Sequence, residues 1–576
     1  MFECSDGTPS RYAFAQVHPC TNVPLETPAR VVQELAAHGY NADRQAVTLL
    51  ANQSDPRRAI ERAVETAPED AIVLSADHVR SVLESEPSAG DYSNSIPENT
   101  EANDRSESSD TNPSVSTGDR SREPQEVSEQ SPVETKGLSA SESEPVSGAG
   151  SAQPTSTALE SSQQRSGTDD AGSGTEPERS ITVSGDISST GTGAYEDFVS
   201  VFRDRYEKLA GQLRGRVNHR PTDTIENMTP GSDAGLIGMV SDIRTTASGH
   251  WLVELEDTTG TFPCLVMKDR DFAADALTLL TDEVVAVEGT LADDGGILFV
   301  DSFHFPDIPR THNPSTADRK VEAALISDVH VGSEEFRADA WSEFASWLHT
   351  EEADHVEYLL IAGDMVEGIG VYPGQDDELD IVDIYDQYER FSEYLKEVPG
   401  DMEVVMIPGN HDAVRLAEPQ PAFDEELRGI MSAHDASISA NPSTVTIEGV
   451  SVLMYHGVSL DEVIAELPEE EASYDRPQDA MKHLLRKRHV APQYGGHTRV
   501  APEEEDHLVM EEVPDIFHTG HVHKLGYGSY HNVTMINSSC WQSQTDFQKS
   551  VNLDPDVGYA PIVDLQTLDL TIRQFV

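Results

Sequence analysis

The sequence predicts a multidomain chain of mixed α/β class: an N-terminal small helical domain, a disordered acidic linker, a small β-barrel and a C-terminal α/β domain. Three observations predict it. The chain has 576 residues, too many for one hydrophobic core. Only 37% of them are hydrophobic, and the deficit gathers in residues 85–194, rich in Ser, Glu, Thr, Gly and Pro, with Tyr92 the only aromatic. Finally, the apolar periodicity changes along the chain, from helical spacing to short alternation and then to buried runs separated by helical stretches.

Residues 1–26 carry no pattern. Residues 27–84 read as short helices. Thr27-Pro28 is an N-cap followed by a first helical residue, Val31, Val32 and Leu35 form the stripe, and Gly39 ends it. Asp55-Pro56 repeats that start ahead of Ile60 and Val64, and Ser75 opens a last helix with Val79, Val82 and Leu83. Such a module suits docking better than catalysis. Residues 85–194 cannot bury enough apolar surface to fold and read as a tether. Residues 195–230 comprise an amphipathic helix, YEDFVSVFRDRYEKLAGQLR, with Phe198, Val201, Phe202 and Leu209 near one face, and a connector. Within 231–308, LIGMVSDIR, HWLVELED, GTFPCLVMK, VVAVEGTL and ILFVDSFHF are five short alternating strands with Gly-rich turns, the pattern of an OB-type barrel. Trp251 and Phe262 there either stack on bases or fill the core. From 318 to 576, VEAALISD, EYLLIAGD, EVVMIPGN and VSVLMYHG are apolar strands that end in polar clusters, where α/β sheets place ligands.

The formal net charge is −65, with 9 Lys against 30 Arg. Residues 85–194 hold 20 acidic and 6 basic residues, which accounts for −14 and leaves −51 on segments that read as folded. A tail alone therefore does not explain the charge. A solvated acidic surface in a salty cytoplasm does, since at about 1 M salt the Debye length is ~3 Å and self-repulsion fades. A halophilic archaeal origin follows, and in that setting net charge does not exclude nucleic acid as a partner. Cys4, Cys20, Cys264 and Cys540 lack metal or disulfide spacing, which fits a reduced, cytoplasmic setting. No apolar run reaches the ~18 residues of a membrane span, and MFECSDGTPS lacks the basic start and apolar core of a signal peptide.

The chemistry gathers at the strand ends: Asp328-Val-His330, Gly363-Asp364, Gly409-Asn410-His411-Asp412, His456-Gly457 and Gly520-His521-Val-His523. Each alone has a bland reading, a helix cap or a satisfied core histidine. Five in series, each after a strand, point instead to one site. Carboxylates with imidazoles suit Mn²⁺, Fe or Zn²⁺, and the lack of cysteine argues against structural zinc. Asp364 is the natural bridge between two ions, and the neighbouring glycines let the backbone turn sharply.

This set resembles the calcineurin-like metallophosphoesterases over about 250 residues. The resemblance implies a two-sheet sandwich with flanking helices. It also implies two divalent ions, Mn²⁺ first, with Mg²⁺, Fe or Zn²⁺ as alternatives. One would take Asp328, His330, Asp364 and His523, the other Asp364, Asn410, His456 and His521. Such ions lie ~3.5–4 Å apart, activate a water and clamp phosphoryl oxygens. The resemblance makes His411 the residue at the leaving oxygen, oriented by Asp412. His518 has no counterpart in the motif and reads as structural.

A barrel directly before such a domain is similar to the small subunits of archaeal family D DNA polymerases and to the B-subunits of eukaryotic replicative polymerases. The B-subunits have generally lost these ligands. MKHLLRKRHVAPQYGGHTRVAPE (481–503) and NSSCWQSQTDFQKS (537–550) carry the family D likeness across 195–576. It implies a heterodimer with a large polymerase subunit, contact with primer-template DNA, and a 3′→5′ exonuclease that releases nucleoside 5′-monophosphates from single-stranded ends. Lys482, Arg486, Lys487, Arg488 and Arg499 cluster in an acidic protein and read as a DNA contact, with a salt-bridged helix or a subunit interface as the bland alternative. Competing functions are a stand-alone Mn-dependent nuclease of the double-strand-break-repair type, a phosphatase and a non-catalytic scaffold. The first usually begins near its D-x-H motif, and the second has no use for the barrel.

Overall fold

The computed structural model describes residues 28–53, 55–67, 73–84, 179–185, 187, 193–372, 374–496 and 498–576, all within one unit of contacting elements. Residues 1–26, Thr27, Cys4, Cys20 and most of the expected tether lie outside the described residues.

The helical module comprises Pro28–Ala37, Arg44–Ala51, Pro56–Glu65 and Ala76–Glu84. The Asp55 carboxylate accepts from Arg58 N at 3.3 Å, and Ser75 Oγ accepts from His78 N at 3.2 Å, so both expected caps form. The second helix and a parallel strand pair, Asn41–Ala42 with Val73–Leu74, are additions. Asp43 explains them: it caps the second helix through Ala46 N at 2.6 Å and also accepts from Ala76 N at 2.7 Å. The module rests on the C-terminal domain. Gly400 N donates to Ala42 O at 3.0 Å, and the Arg44 guanidinium donates to the carbonyls of Ala353 and Val356.

Five strands, Asp233–Thr245, Trp251–Asp257, Gly260–Val266, Val284–Leu291 and Leu298–His304, close into a barrel. All neighbours are antiparallel except the third and fifth, which pair parallel and close the ring. Alternation places Leu236, Val240, Val253, Leu255 and Cys264 inside. Phe262 belongs to this core, and Trp251 packs half-buried against its edge. Helix Tyr195–Leu213 lays Leu209 and Leu213 on Ile237 and Val284. Of its expected stripe, Leu209 meets the barrel while Phe198 and Phe202 meet Tyr494 edge-on at 5.7 and 5.4 Å.

The C-terminal domain is a sandwich of two six-stranded sheets. One runs Ser437–Ile438, Glu403–Ile407, Val356–Ala362, Glu322–Ile326, Tyr559–Asp564, Leu570–Gln574. The other runs Leu525–Tyr530, Val533–Ser538, Ile516–Thr519, Val450–Met454, Ser443–Ile447, Ile181–Ser184. Leu325, Leu360 and Val405 of the first meet Val445, Val452 and Ile516 of the second in a dry seam. Helices Ala338–Leu348 and Ile384–Leu395 cover the outer face of the first sheet, and Ser459–Glu466 and Pro477–Lys487 that of the second.

Ile181–Ser184 corrects the expected linker of 85–194. It pairs antiparallel with Ser443–Ile447 as an edge strand, and Ile181 and Val183 pack on the seam. Arg179 beside it reaches Glu357 at 3.1 Å. Four alternating residues in a Ser/Gly-rich background are too short to read as a strand by composition.

Candidate metal centre

The central strands of both sheets end at one place. Asp328 and His330 follow Glu322–Ile326, Asp364 follows Val356–Ala362, and Asn410 and His411 follow Glu403–Ile407. From the second sheet, His456 follows Val450–Met454, and His521 and His523 follow Ile516–Thr519. The chain turns there through left-handed backbone: φ is +53° at Asp328, +57° at His330, +53° at Asp364, +72° at His521 and +53° at His523. Such conformations cost non-glycine residues about 1–3 kcal/mol each and persist only where surroundings hold them. Here they aim consecutive side chains back over the seam. Gly409 is required by proximity, since a Cβ there would lie 2.2 Å from Asp364 Oδ1.

All seven expected ligand residues come together, in two clusters. Asp328, His330 and His523 form one: His330 Nε2 lies 3.0 Å from His523 Nε2 and 3.8 Å from Asp328 Oδ1, and His523 Nε2 lies 3.4 Å from Asp328 Oδ1. Asp364, His456 and His521 form the other, with His456 Nε2 3.1 Å from Asp364 Oδ2 and 3.0 Å from Asn410 Oδ1. Asp364 stands between the clusters, its Oδ2 also 3.8 Å from His330 Nε2.

The donors fit divalent cations. His456 Nδ1 donates to Ala362 O at 2.8 Å, which leaves the Nε2 lone pair facing a carboxylate and an amide oxygen. The ring, the carboxylate and the amide oxygen together call for a positive charge between them, supplied by a cation or, without one, by a proton on Nε2. The electrostatics say the same. Burial opposes a charge on His456, yet the Asp364 carboxylate lifts it to about 10. Burial likewise pushes Asp364 up, but His456, His411 and His330 outweigh it and hold the carboxyl well below its ordinary range.

Several partners were invisible in the sequence. Glu367 Oε2 lies 2.9 Å from His330 Nδ1 and accepts from Gln542 Nε2 at 2.7 Å, and its backbone carbonyl accepts from His411 Nδ1 at 2.7 Å. Burial raises the Glu367 carboxyl, and His330 beside it more than reverses this, to about 2. The Gln548 side-chain amide meets His523 Nδ1 at 2.9 Å, and Asp461 Oδ2 meets His521 Nε2 at 3.1 Å. Only Glu367 offered any signal, an acid three residues after Asp364 in an apolar run.

Two expectations need correction. Asp412 does not orient the His411 ring. Its buried carboxylate accepts from the backbone N–H groups of Asp364 and Gly409, both at 2.9 Å, and from the Tyr388 hydroxyl at 2.9 Å. Asp412 therefore ties the loops carrying Asp364 and Asn410 together, and Glu367 O holds the His411 ring. Burial lifts the Asp412 carboxyl to about 7.

The basic cluster is also mostly spent inside the protein. Lys487 is 1% exposed, pairs with Glu283 at 2.8 Å and donates to Thr278 O at 2.7 Å. Arg486 pairs with Asp275 at 2.7 Å and lies 3.7 Å over the Phe305 ring. Arg488 is buried and donates to the carbonyls of Met510 and Glu511. Arg486 and Lys487 fasten helix Pro477–Lys487 to the barrel, the interface reading of this stretch. Only half-buried Lys482 and exposed Arg499 remain toward solvent. His518 is fully buried, meets Ser538 Oγ at 3.0 Å and belongs to neither cluster.

The clusters floor a cavity of about 990 Å³, with His411 on its wall. Among the described residues no helix is long and apolar enough to cross a membrane.

Residues 323–525, which include all seven converging residues, match the family model of the DNA polymerase alpha/epsilon B subunit. The DNA polymerase II small subunit of Halobacterium salinarum is 60% identical over 555 residues, covering 96% of this chain and 100% of that protein. Proteins of the same name from Archaeoglobus fulgidus and Pyrococcus furiosus are 44% and 39% identical, over 64% and 65% of this chain and 74% and 62% of theirs. The chain belongs to the small subunits of archaeal family D DNA polymerase (DNA polymerase II), in its halophilic branch.

Proposed function

We propose that this small subunit carries a two-metal 3′→5′ exonuclease of the calcineurin-like type, which removes mispaired 3′ nucleotides for a polymerase whose synthetic site lies in the large partner subunit. The convergence of Asp328, His330, Asp364, Asn410, His456, His521 and His523 around the shared Asp364 carries this reading. The barrel ahead of it, an OB type, helps place primer-template DNA.

Asp328, His330, Asp364 and His523 would hold one divalent cation, and Asp364, Asn410, His456 and His521 a second, with Mn²⁺ first among the candidates. Such a pair supplies Lewis acidity toward a phosphodiester and a nucleophilic water. The chain's own residues do the rest. Glu367 and Gln548 fix the His330 and His523 rings, so the ligand geometry is set before substrate arrives. Asp461 does the same for His521. His411 donates through Nδ1 to Glu367 O, which leaves Nε2 to hold a proton for the departing 3′ oxygen of the penultimate nucleotide. The product is then a nucleoside 5′-monophosphate.

The test is release of nucleoside 5′-monophosphates from single-stranded 3′ ends by the two-subunit complex, in high salt with Mn²⁺. Asp364→Ala and His411→Ala should each lose at least about a hundredfold in kcat, the scale of a lost acid–base or positioning group. Both should still co-purify with the large subunit. Normal digestion by both variants would defeat the assignment.

A further inference from the structure

Three aromatic rings other than histidine line the cavity, Tyr372, Tyr474 and Phe547, and two of them stack on each other. Phe547, on helix Asp546–Ser550, is 50% exposed. It stacks on Tyr372 with ring centroids 5.3 Å apart and planes 26° apart, and both rings line the cavity. Half of the phenyl ring is left open to the cavity, and its other face is held against Tyr372.

The pair is also tied to the metal centre on both sides. The Tyr372 hydroxyl meets Glu367 and Glu378, each at 3.3 Å, and Glu367 in turn abuts His330. The helix bearing Phe547 starts with a reciprocal cap between Thr545 and Gln548, and Gln548 holds His523. The Tyr372 ring lies 6.4 Å from that of His411.

Away from the proposed metal ligands, the cavity wall offers little to a phosphate backbone. Glu469, Asp475 and Asp554 line it there, and among its described lining residues Lys524 is the one Lys or Arg. Even Lys524 is drawn to Asp475 at 3.6 Å and Asp556 at 4.0 Å. A grip through lysine and arginine weakens steeply with salt, and at about 1 M the Debye length is ~3 Å. Stacking on an aromatic face tolerates any base and, involving no net charge on the protein, is not screened by salt.

We propose that Phe547, backed by Tyr372, is the stacking platform for the 3′-terminal nucleobase of a single strand entering the metal centre, and that it takes the place of a basic groove. This rests on the nuclease reading and specifies its substrate contact.

The experiment uses the two-subunit complex and an oligonucleotide ending in 3′-terminal 2-aminopurine, in EDTA so that binding is read without cleavage. Quenching of the fluorophore is expected with the native protein at 1 and 3 M KCl alike, to persist in Phe547→Trp, and to disappear in Phe547→Ala. In Mn²⁺, the ratio of kcat/KM for a normal over an abasic 3′ end should fall about tenfold in Phe547→Ala, the scale of one base–aromatic stack. Equal quenching by native protein and Phe547→Ala, or quenching that collapses between 1 and 3 M KCl, would overturn the platform. So would loss of the large subunit from Phe547→Ala, which would make the pair a subunit interface. Quenching as expected without any cleavage by the native complex would instead sink the nuclease reading alone.

Discussion

At the scale of single residues, the centre depends on atoms being close where side chains normally forbid it. Five left-handed residues aim the converging side chains, and Gly409 leaves room for the Asp364 carboxylate. Gly409→Ala would drive a methyl group against Asp364 Oδ1. A displacement of about 1 Å in such a site costs on the order of a hundredfold in rate. On the proposed two-metal nuclease, the variant should lose about that much activity and bind Mn²⁺ more weakly by calorimetry, while keeping the large subunit. Unchanged Mn²⁺ affinity would show that the close approach is immaterial. The roles of Glu367 and Asp412 show why neighbours in sequence mislead here. Asp412 adjoins His411 in the chain, yet the tight turn throws its carboxylate the other way, onto the backbone of Asp364 and Gly409.

At the scale of elements, helix Pro477–Lys487 joins the barrel to the sandwich, and its charges serve that join. Lys487 and Glu283 are both buried and answer each other. Removing one partner of a buried pair leaves the other uncompensated, at a cost of about 3–5 kcal/mol. Lys487→Met should destabilise the chain by that order in denaturant unfolding, and Lys487→Met with Glu283→Leu should recover most of it. DNA affinity, corrected for folding, should not change. If the single variant keeps its stability and weakens DNA binding, the helix is a nucleic-acid contact after all. A second buried pair, Arg205 with Asp506 at 2.6 Å, ties helix Tyr195–Leu213 to the same region. Strand Ile181–Ser184 adds an edge to a sheet whose other strands all lie beyond residue 440, a join that the intervening sequence hides.

At the scale of the whole molecule, the −65 charge and the buried histidines set the conditions for stability. Self-repulsion acts over a Debye length of ~10 Å at about 0.1 M salt and ~3 Å at about 1 M. The melting temperature should therefore climb as KCl rises from 0.1 to 2 M, and a flat profile would remove the halophilic account of the charge. Burial holds His349 and His489 down to about 4 and His483 to about 3. Unfolded, each binds a proton near the ordinary 6.5, so between pH 6.5 and about 4 the unfolded chain holds more protons than the folded one. Stability present above pH 6.5 is then lost as pH falls toward 4, by on the order of 1–3 kcal/mol per histidine. Denaturant midpoints at pH 7.5 and 5 in constant salt measure this, and equal midpoints would mean that these histidines titrate normally.

The converging side chains and the strands that carry them were legible in the sequence because each motif is local: an apolar run, a turn and a polar residue within about ten residues. The barrel was legible for the same reason, through its period of two. What joins these pieces is not local. Whether a lysine faces DNA or a buried glutamate, whether an aspartate steadies a histidine or a loop, and which carboxylate stands behind His330 all depend on which distant surfaces pack together. Sequence alone determined the donors, their order and the elements that bear them. Only the tertiary structure decided their partners, because a hydrogen bond or ion pair is set by distances of about 3 Å between groups that the chain separates by tens to hundreds of residues.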